Sequence, residues 1–350
     1  MILNKTPVRT AINYGINDTQ VEDSVFNVNV GKFSNAVIEN LRLTNFQNKA
    51  NSDIVSPISN ELLEQSQKAN YFLTATLEGH MEDATSIQFI LDKEQNALVD
   101  VLNVVAKEGC KRTLVIRYDS SDKVYHNGVI KFICEKNSEL KVYIVMDIGK
   151  ESNNFLAVET GMDESAKLNV TIVDFASTNS IEGLYSKMYG NNAEQKIRVL
   201  YLGSGKSKID LNYNVDVLGE DCDIDIDAVG AVGGVDEKNF RGTINLKKGA
   251  KRSNGAENEY CTLLSGKAHV RTLPILLCTE EDIKGGKHSS TVGKIEGNEL
   301  FYIMSRGLDK KSAMKLVVKA RFGSVLKNIN DEKLVNEITT KIDERLDNED

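Results

Sequence analysis

The feature that most constrains this chain is a repeat of strand-like segments through its middle. These segments are rich in Val, Ile and Thr, or alternate apolar with polar residues, as β-strands do. They begin roughly 25 to 30 residues apart, a period typical of stacked structural repeats. The clearest segments are residues 113–116, 140–145, 168–173, 197–202 and 222–228. The pattern indicates coils stacked along one axis.

Turn-forming residues precede most of these segments, as Gly109, Asn137 and Asn192 illustrate. Asn and Gly tolerate the positive φ angles that tight turns need. A second strand fits into most intervals, for instance at residues 126–134 and 210–217. Two strands per repeat with little helix between them predict a β-solenoid, in which each coil hydrogen-bonds to the next.

The sequence therefore predicts a mainly β protein built on a right-handed parallel β-helix. In this fold Ile224 and Ile226 are expected to point into the interior and the intervening aspartates to face water. We expect a small mixed or helical N-terminal region at 1–70, a β-helix core at 71–304 and a C-terminal helical domain at 305–350. Within the N-terminal region, Ser56-Pro57 is typical of a helix start.

Composition and charge exclude several classes of function. The 350 residues include 43 basic and 51 acidic ones, a net charge of −8 that disfavours non-specific nucleic-acid binding. No segment approaches the roughly 20 apolar residues of a membrane span, and the N-terminus does not resemble a signal peptide, so we expect no membrane association and a cytoplasmic location. A Walker-type phosphate loop is missing, so no nucleotide is expected to bind this chain.

The five cysteines are far apart in the sequence and form no Cys-x-x-Cys pair. This spacing argues against a zinc ribbon or a ferredoxin-type cluster. We interpret Cys110, Cys134 and Cys222 as small buried hydrophobic residues.

The C-terminus is expected to be helical. After a predicted N-cap at Asn330-Asp331, an apolar stripe follows at helical spacing, and it consists of Leu334, Val335, Ile338, Ile342 and Leu346. The stripe has two interpretations that the sequence does not separate. It docks the helix onto its own domain, or it binds a partner protein.

The longest ordered motif lies just before these helices. Residues 287–295 read Lys-His-Ser-Ser-Thr-Val-Gly-Lys-Ile, followed by Leu-Phe-Tyr-x-x-Ser-Arg-Gly at 300–307 and an alanine-bearing helix at 313–321. Upstream, residues 261–269 read Cys-Thr-Leu-Leu-Ser-Gly-Lys-Ala-His. Together these segments resemble the C-terminal signature of the SufB/SufD family, the scaffold proteins of the SUF system.

The resemblance implies a scaffold subunit for iron–sulfur cluster assembly in a SufBCD-like complex, not an enzyme. It implies a transient iron–sulfur cluster, a SufC-like ABC ATPase that hydrolyses ATP, a second SufB/SufD-type subunit, and a cysteine desulfurase system as sulfur donor. Cys261 matches the sulfur-accepting Cys of SufB-type members, and His288 matches a His at the interface between two scaffold subunits. The resemblance therefore implies that Cys261 accepts sulfur or binds iron and that His288 binds iron. It also implies that two subunits pair through the last coils, around residues 261–295.

The residues themselves leave several alternatives open. A lone His is more often a surface or core residue than a ligand, although a gap of about one coil would stack Cys261 near His288. SufB-type members flank this His with acidic residues, whereas Lys287 and Ser289 stand here. The chain thus combines features of both branches, and both a homodimer and a heterodimer fit. A β-helix carbohydrate-active enzyme and a structural interaction subunit without cluster chemistry are the alternative functions.

Overall fold

The computed structural model describes residues 1–41, 67–295 and 297–347. The predicted helix start at Ser56-Pro57 lies outside the described residues. The parallel strands run from Tyr71 to Lys294, and α-helices follow from Gly297 to Asp347. The division of the chain at residues 70 and 304 stays a prediction.

Nineteen strands and three α-helices make up the described part of the chain. The strands are β1 (Ile2–Leu3), β2 (Thr19–Gln20), β3 (Ala36–Glu39), β4 (Tyr71–Leu77), β5 (Thr85–Ile90), β6 (Ala97–Ala106), β7 (Lys111–Asp119), β8 (Tyr125–Cys134), β9 (Glu139–Asp147), β10 (Asn153–Met162), β11 (Lys167–Phe175), β12 (Asn179–Met188), β13 (Glu194–Leu202), β14 (Lys208–Val217), β15 (Asp223–Val232), β16 (Glu237–Leu246), β17 (Asn254–Leu263), β18 (His269–Cys278) and β19 (Gly285–Lys294). The helices are α1 (Gly297–Met304), α2 (Lys310–Leu326) and α3 (Glu332–Asp347), and two short 3-10 turns lie at Ile12–Tyr14 and Asp23–Phe26.

Consecutive strands alternate between two long sheets. The even-numbered strands β4 to β18 form an eight-stranded sheet, and the odd-numbered strands β3 to β19 form a nine-stranded sheet. Neighbours within both sheets are parallel, except that β3 runs antiparallel to β5. The chain is therefore a parallel β-solenoid of about eight turns, which confirms the predicted fold class.

The length of one coil increases along the solenoid. Lys111 pairs with Glu139, which makes a coil of 28 residues, whereas Asn254 pairs with Gly285, which makes a coil of 31 residues. The predicted period of roughly 25 to 30 residues covers the early coils and falls slightly short for the last ones.

A column of left-handed residues turns the chain at one corner of the solenoid. Gly109, Asn137, Ser165, Asn192 and Asp221 all have φ between 55° and 67°. Each backbone amide of this column donates to a carbonyl in the turn of the next coil, as from Asn137 to Glu164 at 2.9 Å. The turn residues seen in the sequence therefore form a hydrogen-bonded ladder of their own.

Apolar side chains fill the solenoid interior and also cover parts of both outer faces. Ile224 and Ile226 are fully buried in the interior, as predicted. On the outside of the nine-stranded sheet, Phe175 packs in one cluster with Phe322 of α2 and Ile342 of α3. On the outside of the eight-stranded sheet, the N-terminal segment packs in another cluster that includes Leu3, Phe26, Tyr125 and Phe155. None of the described helices has both the length and the apolar character that a membrane crossing requires.

Candidate functional site

The predicted site residues lie at the C-terminal end of the solenoid. Strands β18 and β19 are the last strands of the eight- and nine-stranded sheets, so each has one free edge among the described residues. His288 lies on β19 and is exposed, whereas Cys261 lies on the neighbouring strand β17 and is fully buried. The end of the solenoid therefore combines an accessible imidazole with an enclosed thiol.

Cys261 and His288 share one face of the sheet but do not stack on each other. Cys261 pairs with Val292, and His288 pairs with Glu257. The two residues are thus offset by four positions, or about 13 Å along the strands. The last coil has 31 residues, so their spacing of 27 misses a direct pairing that it would have reached in an earlier, shorter coil.

The thiol of Cys261 lies beside a buried tyrosine. Tyr201, Gly230 and Cys261 are aligned in three adjacent strands. A Cβ atom on Gly230 would lie 2.0 Å from the Tyr201 ring, so the glycine gives this ring the space to lie across the ladder. Burial, followed by the nearby Cys261, raises the pKa of Tyr201 well above its usual range.

A buried ion pair completes the surroundings of Cys261. Lys238 of β16 contacts the Oε1 atom of Glu259, and both side chains are 0% exposed. The hydroxyl of Tyr201 also donates to Oε1 at 2.9 Å, and the hydroxyl of Ser290 donates to Oε2 at 3.0 Å. Burial lowers the pKa of Lys238 to about 8, and the charge of the nearby Cys261 opposes this shift.

A second interior carboxylate, Glu257, lies two residues before Glu259. It is 2% exposed, and neither carboxylate oxygen has a hydrogen-bond partner in the described structure. Burial raises the pKa of Glu257 to about 8. The backbone amide of Ile275 opposes this rise, although it does not reach hydrogen-bonding geometry with either oxygen.

The other cysteines have different surroundings. Cys110, Cys134 and Cys222 are buried, which confirms their interpretation as core residues. Burial raises the pKa of the Cys134 thiol to about 12 and also raises the pKa of Cys110 and of Cys222, so these thiols stay protonated near neutral pH. Cys278, at the end of β18, is exposed.

The described residues contain no cluster of three or more His, Cys, Asp or Glu side chains that could hold a metal ion. Carboxylate, imidazole and thiolate groups are nevertheless present at the end of the solenoid, and all three are suitable iron ligands. This chain therefore offers part of a ligand set there, not a closed metal site.

The predicted partner-binding stripe on α3 faces the body of the protein. Leu334, Ile338 and Ile342 are buried against the nine-stranded sheet, and Val335 is half-buried beside them. Other apolar side chains of the C-terminal helices remain exposed, and the largest are Phe301 at 74% and Tyr302 at 61%. Partner binding by the α3 stripe stays a prediction, with the structural role of three of its members now evident.

The sequence reasoning did not identify Lys238, Glu257 or Glu259. A usable signal was present in β17, because side chains of one strand alternate between its two faces. Once Cys261 points inward, Glu257 and Glu259 must point inward as well. Lys238 gave no comparable signal, since its pairing with Glu259 depends on the contact between the two sheets.

Comparisons with known proteins agree with this architecture. The family described as "SUF system FeS cluster assembly, SufBD core domain" matches residues 89–321, about two thirds of the chain. The iron–sulfur cluster assembly protein SufD of Bacillus subtilis is 21% identical over 282 residues, which cover 79% of this chain and 64% of that protein.

Two further relatives show the same relationship. SufD of Escherichia coli is 30% identical over 107 residues, 31% of this chain and 25% of that protein. An iron–sulfur cluster assembly SufBD family protein of Pyrococcus horikoshii is 28% identical over 229 residues, 57% of this chain and 51% of that protein. The chain thus spans less than two thirds of the length of these relatives. Because the family match covers more than half of its residues, the chain belongs to the SufBD family of SUF-system iron–sulfur cluster assembly proteins.

Proposed function

We propose that this protein is a scaffold subunit of a SufBCD-like complex, on which a transient iron–sulfur cluster is assembled. The observation that carries the proposal is the position of Cys261 and His288 on the interior face of β17 and β19, at the end of the solenoid. A sulfur-accepting group and an iron-binding group are thereby held on adjacent strands where a second subunit can dock.

Cys261 would accept sulfur from a cysteine desulfurase system. Its thiolate would attack the outer sulfur of a donor persulfide, forming a persulfide on Cys261 and releasing the donor as a thiolate. The nearby ammonium of Lys238 favours a thiolate at this position. Because Cys261 is fully buried, the reaction requires a local opening of the last coil.

His288 would bind iron through a neutral ring nitrogen. This chain supplies too few ligands for a closed metal site, so the remaining ligands would come from sulfide, water or a second SufB/SufD-type subunit. That subunit would be either a paralogue or a second copy of this chain, docked at the last coils.

A SufC-like ABC ATPase would bind the C-terminal helices and supply ATP hydrolysis. The stripe of Leu334, Ile338 and Ile342 is occupied by internal packing, so the accessible apolar residues are a better contact surface. These residues are Phe301, Tyr302, Met304, Leu308 and Leu316.

A cluster-assembly complementation assay tests the site. We expect Cys261→Ala and His288→Ala each to abolish or strongly reduce cluster assembly, because each removes one sulfur- or iron-binding group. Cys222→Ala is the control, since Cys222 is a buried core thiol on an earlier part of the solenoid. Circular dichroism of each purified variant checks that the β-solenoid is retained.

Normal cluster assembly by both site variants would reject the assignment and favour a structural subunit without cluster chemistry. A control as defective as the site variants would also reject it, since the defect would then reflect general damage to the interior.

A further inference from the structure

Two carboxylates on the interior face of β17 have opposite surroundings. Glu259 contacts Lys238 and accepts hydrogen bonds from Tyr201 and Ser290. Glu257 lies two residues away on the same face, is 2% exposed, and has no hydrogen-bond partner for either oxygen among the described residues. A buried carboxylate without a partner is costly, so its retention calls for a binding function.

The fold makes specific space for the Glu257 side chain. A Cβ atom on Gly242 of β16 would lie 1.8 Å from the Oε1 atom of Glu257, so any larger residue there would displace the carboxylate. Gly242 pairs with Pro274 of β18, which places the carboxylate one coil below the last one. The carboxylate thus lies inside the solenoid close to its end.

The neighbour of Glu257 in the last coil is His288. The two residues are direct partners in the parallel ladder between β17 and β19, and both point to the interior face. Direct partners on adjacent strands are about 4.8 Å apart. One ion with bonds of about 2.1 Å to an imidazole nitrogen and to a carboxylate oxygen spans that separation.

We propose that Glu257 and His288 bind one divalent cation together, with a carboxylate oxygen and an imidazole nitrogen as its two protein ligands. The identity of the ion as Fe²⁺ rests on the proposed function, whereas the ligand pair rests on the geometry. Glu257 takes the part of the acidic ligand that the neighbours of His288 on its own strand, Lys287 and Ser289, do not provide. The remaining coordination positions are filled by water or by groups of a docked second subunit.

Anaerobic titration of the full-length protein with Fe²⁺, followed by calorimetry, tests the pair. We expect the wild-type protein to bind the ion, and Glu257→Gln and His288→Ala each to weaken binding by about tenfold or more. Glu159→Gln is the matched control, because Glu159 is a half-buried glutamate with one unpartnered oxygen on the eight-stranded sheet, far from His288. Repeating the series in a Cys261→Ala background separates the carboxylate effect from any contribution of the thiol.

Stability without metal provides a readout independent of binding. Glu257→Gln removes an unpartnered buried acid while keeping its shape, so the variant should unfold at the same temperature as the wild type or at a higher one. A folded Glu257→Gln variant that binds Fe²⁺ as tightly as the wild type, or a wild-type protein that does not bind Fe²⁺, overturns the proposal.

The outcome is distinguishable from failure of the scaffold function. If binding does not depend on Glu257 while Cys261→Ala and His288→Ala still abolish cluster assembly, only the ligand role of Glu257 is rejected. If binding depends on Glu257 and His288 while both complementation variants assemble clusters normally, the cation site stands and the scaffold function is rejected.

Discussion

At the scale of single residues, the interior of this solenoid contains ionisable groups that an apolar core would exclude. Asp174 and Glu182 are both buried near each other, with Ser180 donating to Asp174 and Tyr213 donating to Glu182. Burial raises the pKa of Asp174 to about 6. Burial, followed by the charge of Asp174, raises the pKa of Glu182 well above its usual range. The pair therefore retains a proton in the folded state at pH values where the unfolded chain has lost it.

This pair predicts how stability depends on pH. Groups whose folded pKa is raised stabilise the fold most below their unfolded pKa, near 4, and lose that contribution as pH rises through the folded value, about 6 for Asp174. We expect Glu182→Gln to gain stability relative to the wild type as pH increases from about 5 to about 8, since the amide cannot ionise.

Urea unfolding at several pH values measures the effect. Glu164→Gln is the control, because Glu164 is exposed and paired with Lys136. A stability difference between the wild type and Glu182→Gln that does not change with pH would contradict the prediction.

At the scale of elements, the C-terminal helices have a packed side and an open side. The apolar stripe of α3 packs against Val145, Phe175 and their neighbours on the nine-stranded sheet. Charged contacts add to this packing, since Lys341 and Arg345 of α3 both pair with Asp147 of β9. Phe301 and Tyr302 of α1 lie on the open side.

The two sides predict different consequences of mutation. The double substitution Phe301→Ala, Tyr302→Ala should reduce co-purification with a SufC-like ATPase while leaving stability nearly unchanged, because both side chains are exposed. Ile338→Ala is the comparison, and it should lower the free energy of unfolding by roughly 2 to 5 kcal/mol through loss of buried contacts. Full co-purification by the double variant would contradict this partner surface.

At the scale of the whole molecule, the solenoid is closed at one end and open at the other. The antiparallel strand β3 covers the edge of β5 near the N-terminal end. At the C-terminal end, β18 and β19 each present ten residues with no further strand beside them in the described structure. Unpaired strand edges favour association with another chain.

We therefore predict pairing of two subunits through residues 261–295. Val292 is 39% exposed on the interior face of β19, and Val292→Lys should prevent association by placing a charge at the contact. Analytical ultracentrifugation, alone and with a SufB/SufD-type paralogue, measures the result. A wild-type protein that stays monomeric under both conditions would reject the prediction, and Val37→Lys on the opposite end is the control.

The sequence by itself determined the repeat architecture. Strand alternation and the turn residues Asn137 and Asn192 are local signals, because they reflect the preferences of the backbone at each position. The predicted strands at 113–116, 140–145 and 168–173 all lie within strands of the nine-stranded sheet. The same local motifs indicated the SufB/SufD family and drew attention to Cys261 and His288.

The tertiary structure alone decided which residues meet at the end of the solenoid. The register between β17 and β19 depends on the lengths of the intervening turns, which add up over a whole coil and are not marked by any single residue. This register places Glu257, not Cys261, beside His288. The contact of Lys238 with Glu259, and the burial of Ile338, likewise arise from packing between elements distant in the sequence, because strand and helix patterns define which face is apolar but not what covers it.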